Sequence, residues 1–255
     1  MIRIAAASDI HCTRTSRGAL APLLSAMAAA ADVLVICGDL TDHGHPDEAK
    51  VLAHEMTGVR APVLSVLGNH DYESGHVQDV KDILLDAGML LMDGDAHEVK
   101  GVGFAGAKGF GGGFARGTLS SFGEPAIKAF VQEAVDEAMK LERALQRLDG
   151  EQKIAILHYS PIRATIDTEP VEIHPFLGSG RLEEPLNRYQ VTACVHGHAH
   201  AGVAEGRTGG NVPVYNVSMA LMKKHFPEHP PFRLLEVQVA KRAEAPAATM
   251  VGTPV

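Results

Sequence analysis

The stretch VLVICGD, residues 33–39, joins five apolar residues to a glycine and an aspartate. A short, β-branched run of this kind is typical of a strand that is buried on both faces of a sheet. The polar residues that follow it would then lie at the carboxyl end of that strand, where the ligand sites of α/β proteins gather. The same arrangement, an apolar run that ends in a short polar motif, recurs along the chain.

Apolar runs and helical patterns alternate in the first part of the sequence. The predicted strands are Ile2–Ala7, Val33–Cys37, Val63–Leu67, Gly101–Ala105, Ile154–Leu157, Val191–Val195, Val212–Val217 and Arg233–Val239. Helical patterns lie between the early strands, at Gly18–Ala31, Asp47–Thr57 and Val77–Ala87. Strands that alternate with helices indicate an α/β fold, and the closer spacing of the later strands favours mixed pairing.

The longest predicted helix is Pro125–Leu148, in which apolar residues recur at helical spacing until Gly150 ends the pattern. A glycine-rich stretch, residues 109–117, precedes it and is interpreted as a flexible loop. We therefore expect residues 106–150 to form an insert or partial cap within one domain of residues 1–240, with the glycine-rich stretch closing over the site. The tail, residues 241–255, is rich in Ala, Pro and Thr and is predicted to fray.

Composition narrows the class of protein. The 255 residues carry a formal net charge of −8, which argues against a broad nucleic-acid surface. No apolar run reaches the length of a membrane span, and the N-terminus lacks a signal-peptide pattern, so a cytoplasmic location without membrane contact is expected. Cys12, Cys37 and Cys194 form no C-x-x-C pair and are expected to be reduced, buried thiols. A redox-sensitive role for Cys12 stays open, and nothing in the sequence indicates an oligomeric state.

Five short polar motifs stand where predicted strands end. They supply seven candidate metal ligands: Asp9, His11, Asp39, Asn69, His158, His198 and His200. Two carboxylates, one amide oxygen and four imidazoles suit borderline divalent ions such as manganese, iron, zinc, cobalt or nickel. Seven ligands are too many for one tetrahedral zinc ion. We therefore predict two divalent ions that share one carboxylate and hold a hydroxide between them at neutral pH.

Spacing and glycines support this prediction. In the D-x-H and H-x-H pairs, residues two apart on an extended chain point the same way and can reach one site. Gly38, Gly68 and Gly197 stand beside ligands, where they would let the backbone turn sharply and pass close to the ions. A lone GD or H-x-H pair carries little information, since most histidines are ordinary surface or core residues. The ordered combination of five motifs carries the prediction.

In this combination the motifs, D-x-H at 9–11, GD at 38–39, GNHD at 68–71, His158 and GHxH at 197–200, resemble those of the calcineurin-like metallophosphoesterase superfamily. The resemblance implies a four-layer sandwich of two mixed β-sheets flanked by helices. It implies one metal on Asp9, His11 and His200, a second on Asn69, His158 and His198, and Asp39 as the bridge. It also implies that His70 assists the leaving group as a catalytic acid, with Asp71 orienting its imidazole.

The implied activity is hydrolysis of a phosphate ester through a metal-bridging hydroxide. Residues 38–44, GDLTDHG, also resemble the corresponding stretch of class III cyclic-nucleotide phosphodiesterases. With no large accessory domain, the chain is predicted to be a phosphodiesterase that acts on a small or nucleotide-like substrate. A phosphomonoesterase or protein phosphatase is the alternative. The acidic charge disfavours a nuclease, and the presence of His70 and all expected ligands disfavours a catalytically silent scaffold.

Three further histidines lie close to the motifs. His43 and His45 follow the bridging aspartate and are candidates for the rim of the site, and His196 is expected to make a supporting hydrogen bond behind the ligands.

Overall fold

The computed structural model describes residues 1–239, so the tail predicted to fray, residues 241–255, lies outside the described residues. The strands are β1 (Ile2–Ala7), β2 (Val33–Cys37), β3 (Val63–Val66), β4 (Leu90–Leu91), β5 (Asp95–Val99), β6 (Val102–Gly106), β7 (Lys153–Ile156), β8 (Ala193–His196), β9 (Glu205–Arg207), β10 (Pro213–Asn216) and β11 (Arg233–Val237). The helices are α1 (Ala21–Ala30), α2 (Pro46–Glu55), α3 (Val77–Asp86), α4 (Pro125–Gln146), α5 (His174–Leu177), α6 (Glu183–Arg188) and α7 (Met219–His225).

The first sheet has the order β11-β1-β2-β3-β4, in which β1 to β4 run parallel and β11 runs antiparallel to β1. Strand β2 shows why its sequence is continuously apolar. Val33 and Val35 face the space between the two sheets, whereas Leu34 and Ile36 belong to the core under α1, α2 and α3. A strand that is buried on both faces has no position for a polar side chain.

The second sheet has the order β5-β6-β7-β8-β10-β9, with antiparallel strands at both edges and parallel strands between them. Its inner face, including Phe104, Ile154 and Val195, packs on the inner face of the first sheet. Helices α4 and α6 cover its outer face. Helix, sheet, sheet and helix therefore form four layers, so the predicted α/β class and the implied sandwich are confirmed.

Segment 106–150 is part of this sandwich and not an added cap. Leu141, Ala144 and Leu145 of α4 pack against Ala105 and Ala155 of the second sheet. The prediction of an insert or cap was therefore wrong for the helix, because its apolar stripe supplies the outer helical layer of the core.

The glycine-rich stretch is packed as well. Most of residues 109–114 are buried. Gly112 N–H donates to the carbonyl of Pro175 at 2.6 Å, and Gly113 N–H donates to that of Gly178 at 2.9 Å. The flexible-loop interpretation was wrong, because glycines without side chains let two backbone segments come together closely. The glycine-rich stretch was expected to close over the site because it was taken to be flexible. Its packing removes that reason.

Two expectations about surface and redox chemistry can be compared with the described residues. Within residues 1–239, no helix combines the length and the apolar character that a membrane crossing requires.

Cys12, Cys37 and Cys194 are free and buried, as predicted. Burial raises the pKa of all three thiols, that of Cys12 to about 12, and this disfavours the thiolate that redox chemistry at Cys12 would need.

Truncation of a buried residue of α4 tests whether this helix is a structural layer. We expect Leu141→Ala to lower the free energy of unfolding by about 2–5 kcal/mol, because Leu141 is fully buried against the second sheet. Met139→Ala on the same helix is the control: Met139 is 40% exposed, and its loss should cost less than about 1 kcal/mol. The measurement is chemical denaturation followed by circular dichroism. Equal midpoints for both variants would contradict the layer assignment.

Candidate metal centre

The predicted ligands converge at one rim of the sandwich, at the carboxyl ends of parallel strands from both sheets. Backbone hydrogen bonds continue past the strand ends and fix the loops side by side. Asp9 N–H donates to the carbonyl of Gly38 at 3.1 Å, and His11 N–H donates to that of Asp39 at 3.0 Å. The loops that carry the ligands are therefore ordered by the same pairing that orders the strands.

Four of the ligands hold a backbone conformation that L-residues rarely adopt. Asp9, His11, Asp39 and His198 have φ values of 58°, 43°, 48° and 68°. Such positions cost about 1–3 kcal/mol each and persist where the surrounding structure determines them, most often at functional sites. Asp9 and His11 do reach the same cluster, but through left-handed turns. The expectation that an extended chain aligns them was therefore wrong in its mechanism.

The glycines beside the ligands are required by close contact. A Cβ on Gly68 would lie 2.1 Å from Asp39 Oδ1, and one on Gly197 would lie 2.5 Å from Asp9 Oδ2. Only a residue without a side chain fits at such distances. The backbone therefore passes close to the carboxylates of Asp39 and Asp9 at these two positions.

Asp9, His11 and His200 form the first cluster, in which one donor atom of each lies within 4.8 Å of the others. His200 Nε2 lies 3.0 Å from Asp9 Oδ1. Burial alone would raise the pKa of Asp9. The hydrogen bond with His200 and the nearby histidines outweigh burial and hold the pKa well below its usual value, so Asp9 stays ionised. Burial also lowers the pKa of His11, and its buried Nδ1 makes no aligned hydrogen bond among the described residues, although Asp42 Oδ1 lies 3.3 Å away.

Asp39, His158 and His198 form the second cluster, with the same mutual limit of 4.8 Å. His158 Nδ1 lies 2.8 Å from the carbonyl of Cys37. A carbonyl only accepts, so Nδ1 carries a hydrogen, and the tautomer with this single hydrogen presents its lone pair on Nε2. That Nε2 lies 2.9 Å from Asn69 Oδ1 and 3.4 Å from Asp39 Oδ1. In that tautomer, His158 Nε2, Asn69 Oδ1 and Asp39 Oδ1 are all acceptors that face one another. A cation between them would stabilise this arrangement.

His198 repeats this pattern. Its Nε2 lies 3.2 Å from the carbonyl of Phe176, which leaves Nδ1 as the free ring nitrogen. Burial lowers the pKa of His198 to about 3, so the ring is neutral at physiological pH. Histidines that bind metals usually donate their other nitrogen to a carbonyl or carboxylate in this way.

Asp39 lies between the two clusters. Its Oδ1 is 3.4 Å from His158 Nε2, and its Oδ2 is 3.9 Å from His11 Nε2. One carboxylate oxygen is therefore directed towards each cluster. The donor set of carboxylates, an amide oxygen and imidazoles fits divalent cations at both positions.

The implied contact between Asp71 and His70 is not present. The Asp71 carboxylate is fully buried and accepts from the N–H groups of Leu40, Thr41 and Gly68, and from the Thr41 hydroxyl. Its role is thus to tie the β2 and β3 loops together, and the orienting role was wrong. His70 Nδ1 instead donates to the backbone carbonyl of Asp42 at 2.6 Å.

Sequence reasoning missed two acidic residues near His70. Asp42 Oδ1 lies 3.3 Å from His11 Nδ1, and Glu73 Oε2 lies 3.6 Å from His70 Nδ1. His43 joins them, with its ring nitrogens 3.2 Å from Asp42 and 3.4 Å from Glu73. The hydrogen bond to Glu73 raises the pKa of His43. For Asp42, the available signal in the sequence was its position three residues after Asp39.

The other candidate histidines lie around the centre. His43 and His45 line an open surface cavity of about 400 Å³ beside Asp42, in agreement with their expected place at the rim. His196 is buried behind the ligands, where its Nδ1 lies 2.8 Å from the carbonyl of Gly197 and its Nε2 lies 2.9 Å from the hydroxyl of Thr165. It supports the loop that carries His198, as its position predicted.

Comparisons with known proteins agree with this geometry. The model of the calcineurin-like phosphoesterase family matches residues 2–202. Among solved structures, the phosphopantetheinyl hydrolase of Mycobacterium tuberculosis is similar, with a TM-score of 0.65 and 17% identity over 94% of this chain and 98% of that chain. A protein of Thermus thermophilus, TT1561, is also similar, with a TM-score of 0.54 and 14% identity over 87% of this chain and 91% of that chain. A search of curated proteins found no match.

Removal of the shared carboxylate tests the metal assignment. We expect Asp39→Ala to lose bound metal at both positions, because the carboxylate faces both clusters. The measurement is metal content after equilibrium dialysis against manganese, with the wild-type chain as reference. Ser65→Ala is the matched control, since Ser65 is buried on β3 and its hydroxyl donates to backbone carbonyls. A fully loaded Asp39→Ala protein would contradict the bridging assignment.

Substitution of Asp71 separates its structural role from the orienting role. We expect Asp71→Asn to lower the free energy of unfolding by about 2–4 kcal/mol, because each oxygen accepts from two donors and the amide nitrogen that replaces one oxygen leaves two buried donors without their partner. Thermal unfolding of the metal-free protein measures this. If Asp71→Asn kept wild-type stability and reduced only turnover, the orienting role would be restored.

Proposed function

The chain belongs to the calcineurin-like phosphoesterase family, and we propose that it is a binuclear, metal-dependent phosphodiesterase for a small or nucleotide-like ester. Membership of this family implies a hydrolase of phosphoric esters. The observation that carries the binuclear proposal is the position of Asp39, with one oxygen towards each cluster.

Each ion has a defined set of candidate ligands. Asp9, His11 and His200 would hold one ion, and Asn69, His158 and His198 would hold the other, with Asp39 shared. Bound divalent ions supply Lewis-acid activation of water and neutralise charge on phosphoryl oxygens. The chain contributes the rigid placement of the ligands, since backbone pairing and close-packed glycines fix the loops that carry them. Manganese, iron, zinc, cobalt and nickel all suit these donors.

His70 is the proposed acid. Its Nδ1 is held by the carbonyl of Asp42, so Nε2 is the ring atom available to a leaving oxygen. The imidazole lies beside the first cluster, with its centroid 4.6 Å from that of His11. In its imidazolium form, which carries a hydrogen on both ring nitrogens, His70 can donate the Nε2 proton to the departing alkoxide as its bond to phosphorus breaks, and the neutral ring keeps its hydrogen on Nδ1. Because Asp42 orients the ring through its backbone, that contact does not depend on the Asp42 side chain.

The surroundings of the centre support a diester. A phosphodiester carries two organic groups, so the site must leave room in two directions. The cavity beside Asp42 and His43 provides one. Phe176, which is exposed and whose carbonyl contacts His198, lies on the other side. A cytoplasmic location stays a prediction.

The ratio of catalytic efficiencies on two chromogenic esters tests the proposal. We expect the manganese-loaded protein to hydrolyse bis-p-nitrophenyl phosphate with a higher kcat/KM than p-nitrophenyl phosphate. On this proposal the second organic group of a diester adds contacts that a monoester lacks. A preference for the monoester would favour a phosphomonoesterase, and hydrolysis of neither under any of the five metals would contradict the proposal.

His70→Ala is the control for this assay. It should lower kcat by about 10²–10⁴ fold, the usual contribution of general acid catalysis, while both ions stay bound, since His70 belongs to neither ligand set. Loss of an ion in His70→Ala would show that this histidine is a ligand and not the acid.

A further inference from the structure

A continuous run of aromatic rings leads from the metal centre to the protein surface. The imidazole of His198 lies 4.5 Å from the ring of Tyr159, centroid to centroid. Tyr159 lies 5.8 Å from Phe110, and Phe110 lies 4.9 Å from Phe130. Phe130 in turn lies 6.0 Å from Phe176, with the two rings nearly perpendicular. We call Tyr159, Phe110, Phe130 and Phe176 the aromatic run.

Exposure increases along the run with distance from the centre. Tyr159 is 7% exposed, Phe110 and Phe130 are partly buried, and Phe176 is 58% exposed. An isolated exposed phenylalanine needs no explanation. Phe176 is different, because its ring is the open end of a stack of aromatic side chains that begins at a metal ligand.

The inner end of the run is closed by a cation. The Lys108 ammonium lies 4.8 Å from the ring centroid of Phe110 and 5.3 Å from that of Tyr159. Lys108 is itself 8% exposed, and cation–π contacts of this kind orient the rings. Phe176 is the exposed ring of the run, so a ligand from solvent can reach the run there.

The exposed ring is carried by a rigid segment. The carbonyl of Phe176 accepts from His198, and the carbonyl of Pro175 accepts from Gly112. Gly111 is pressed against the same segment, where a Cβ would lie 2.6 Å from the carbonyl oxygen of Pro175. A ring carried by a backbone that is already fixed loses less freedom when a ligand packs on it, and this favours stacking.

The residues near His70 have the opposite character. Asp42, His43 and Glu73 are charged or polar, and the ring of His43 contacts both carboxylates. Of these two sides, the one at His198 offers aromatic partners to an organic group of an ester bound at the metal centre. The surface thus distinguishes the two sides of a bound ester by polarity.

We propose that the aromatic run binds the nucleobase of a nucleotide ester whose phosphate lies at the metal centre, with Phe176 as the stacking platform. This inference rests on the proposed function and names its substrate class. Stacking on an aromatic side chain changes affinity by roughly tenfold for one base, and it tolerates all bases because each has a π-face. The proposal therefore concerns nucleotides as a class and not one base.

Binding of two matched monophosphates tests the proposal without relying on turnover. AMP and ribose 5-phosphate share phosphate and sugar and differ in the base. Calorimetric titration of the manganese-loaded protein should give a Kd for AMP roughly tenfold lower than for ribose 5-phosphate. Phe176→Ala should abolish this difference and keep the Kd for ribose 5-phosphate, while Phe176→Tyr should preserve it. Phe226→Ala is the control, since Phe226 is 38% exposed and its ring contacts His225.

The outcomes separate this inference from the proposed function. Equal affinities for AMP and ribose 5-phosphate in the wild-type protein would overturn the nucleobase platform, as would an unchanged AMP preference in Phe176→Ala. Hydrolysis of bis-p-nitrophenyl phosphate would leave the phosphodiesterase proposal standing in either case. If neither monophosphate binds and no ester is hydrolysed, both proposals fall. Metal content is measured in each variant and should equal that of the wild-type chain, because the substitution keeps the Phe176 carbonyl that contacts His198.

Discussion

The carboxylate of Asp39 is the point on which the rest of the site depends. One oxygen faces His158, the other faces His11, and the same group accepts from the backbone N–H of His70 at 3.0 Å. Asp39 can occupy this position only because its own backbone is left-handed and Gly68 lacks a Cβ. The position of the Asp39 carboxylate therefore requires a left-handed backbone at Asp39 and a glycine at position 68. It also holds the backbone of His70, the proposed acid.

Packing of the two sheets is what brings the ligand sets together. The first sheet supplies Asp9, His11, Asp39 and Asn69, and the second sheet supplies His158, His198 and His200. The apolar core between the sheets, with Val35 facing residues such as Phe104, holds the two groups in register. Four left-handed ligands cost about 1–3 kcal/mol each, and burial of that core offsets the cost. Stability and site geometry are consequently properties of the same interface.

Much of this could be predicted from the sequence, and the failures have physical causes. Runs such as Val33–Cys37 are buried on both faces and are unambiguous, and the polar motifs after them identify the ligands. Strand β5, Asp95–Val99, was missed because it is a partly exposed edge strand with a mixed sequence. The glycine-rich stretch was misread because its composition is the same for a flexible loop and for two tightly packed backbones. The roles of Asp71 and Asp42 depend on contacts between loops: the Asp71 carboxylate accepts from backbone N–H groups of the β2 loop, and the Asp42 carbonyl accepts from His70. Motif spacing in one sequence does not show which of these groups come together.

Electron paramagnetic resonance of the manganese-loaded protein tests the central claim most directly, because it reports whether two ions share a bridging ligand. The geometry at Asp39 predicts an exchange-coupled spectrum from two Mn²⁺ ions when the protein is fully loaded. It also predicts that this coupling is lost in Asp39→Ala. A spectrum of magnetically isolated Mn²⁺ at full loading would contradict the claim that the two clusters form one binuclear centre.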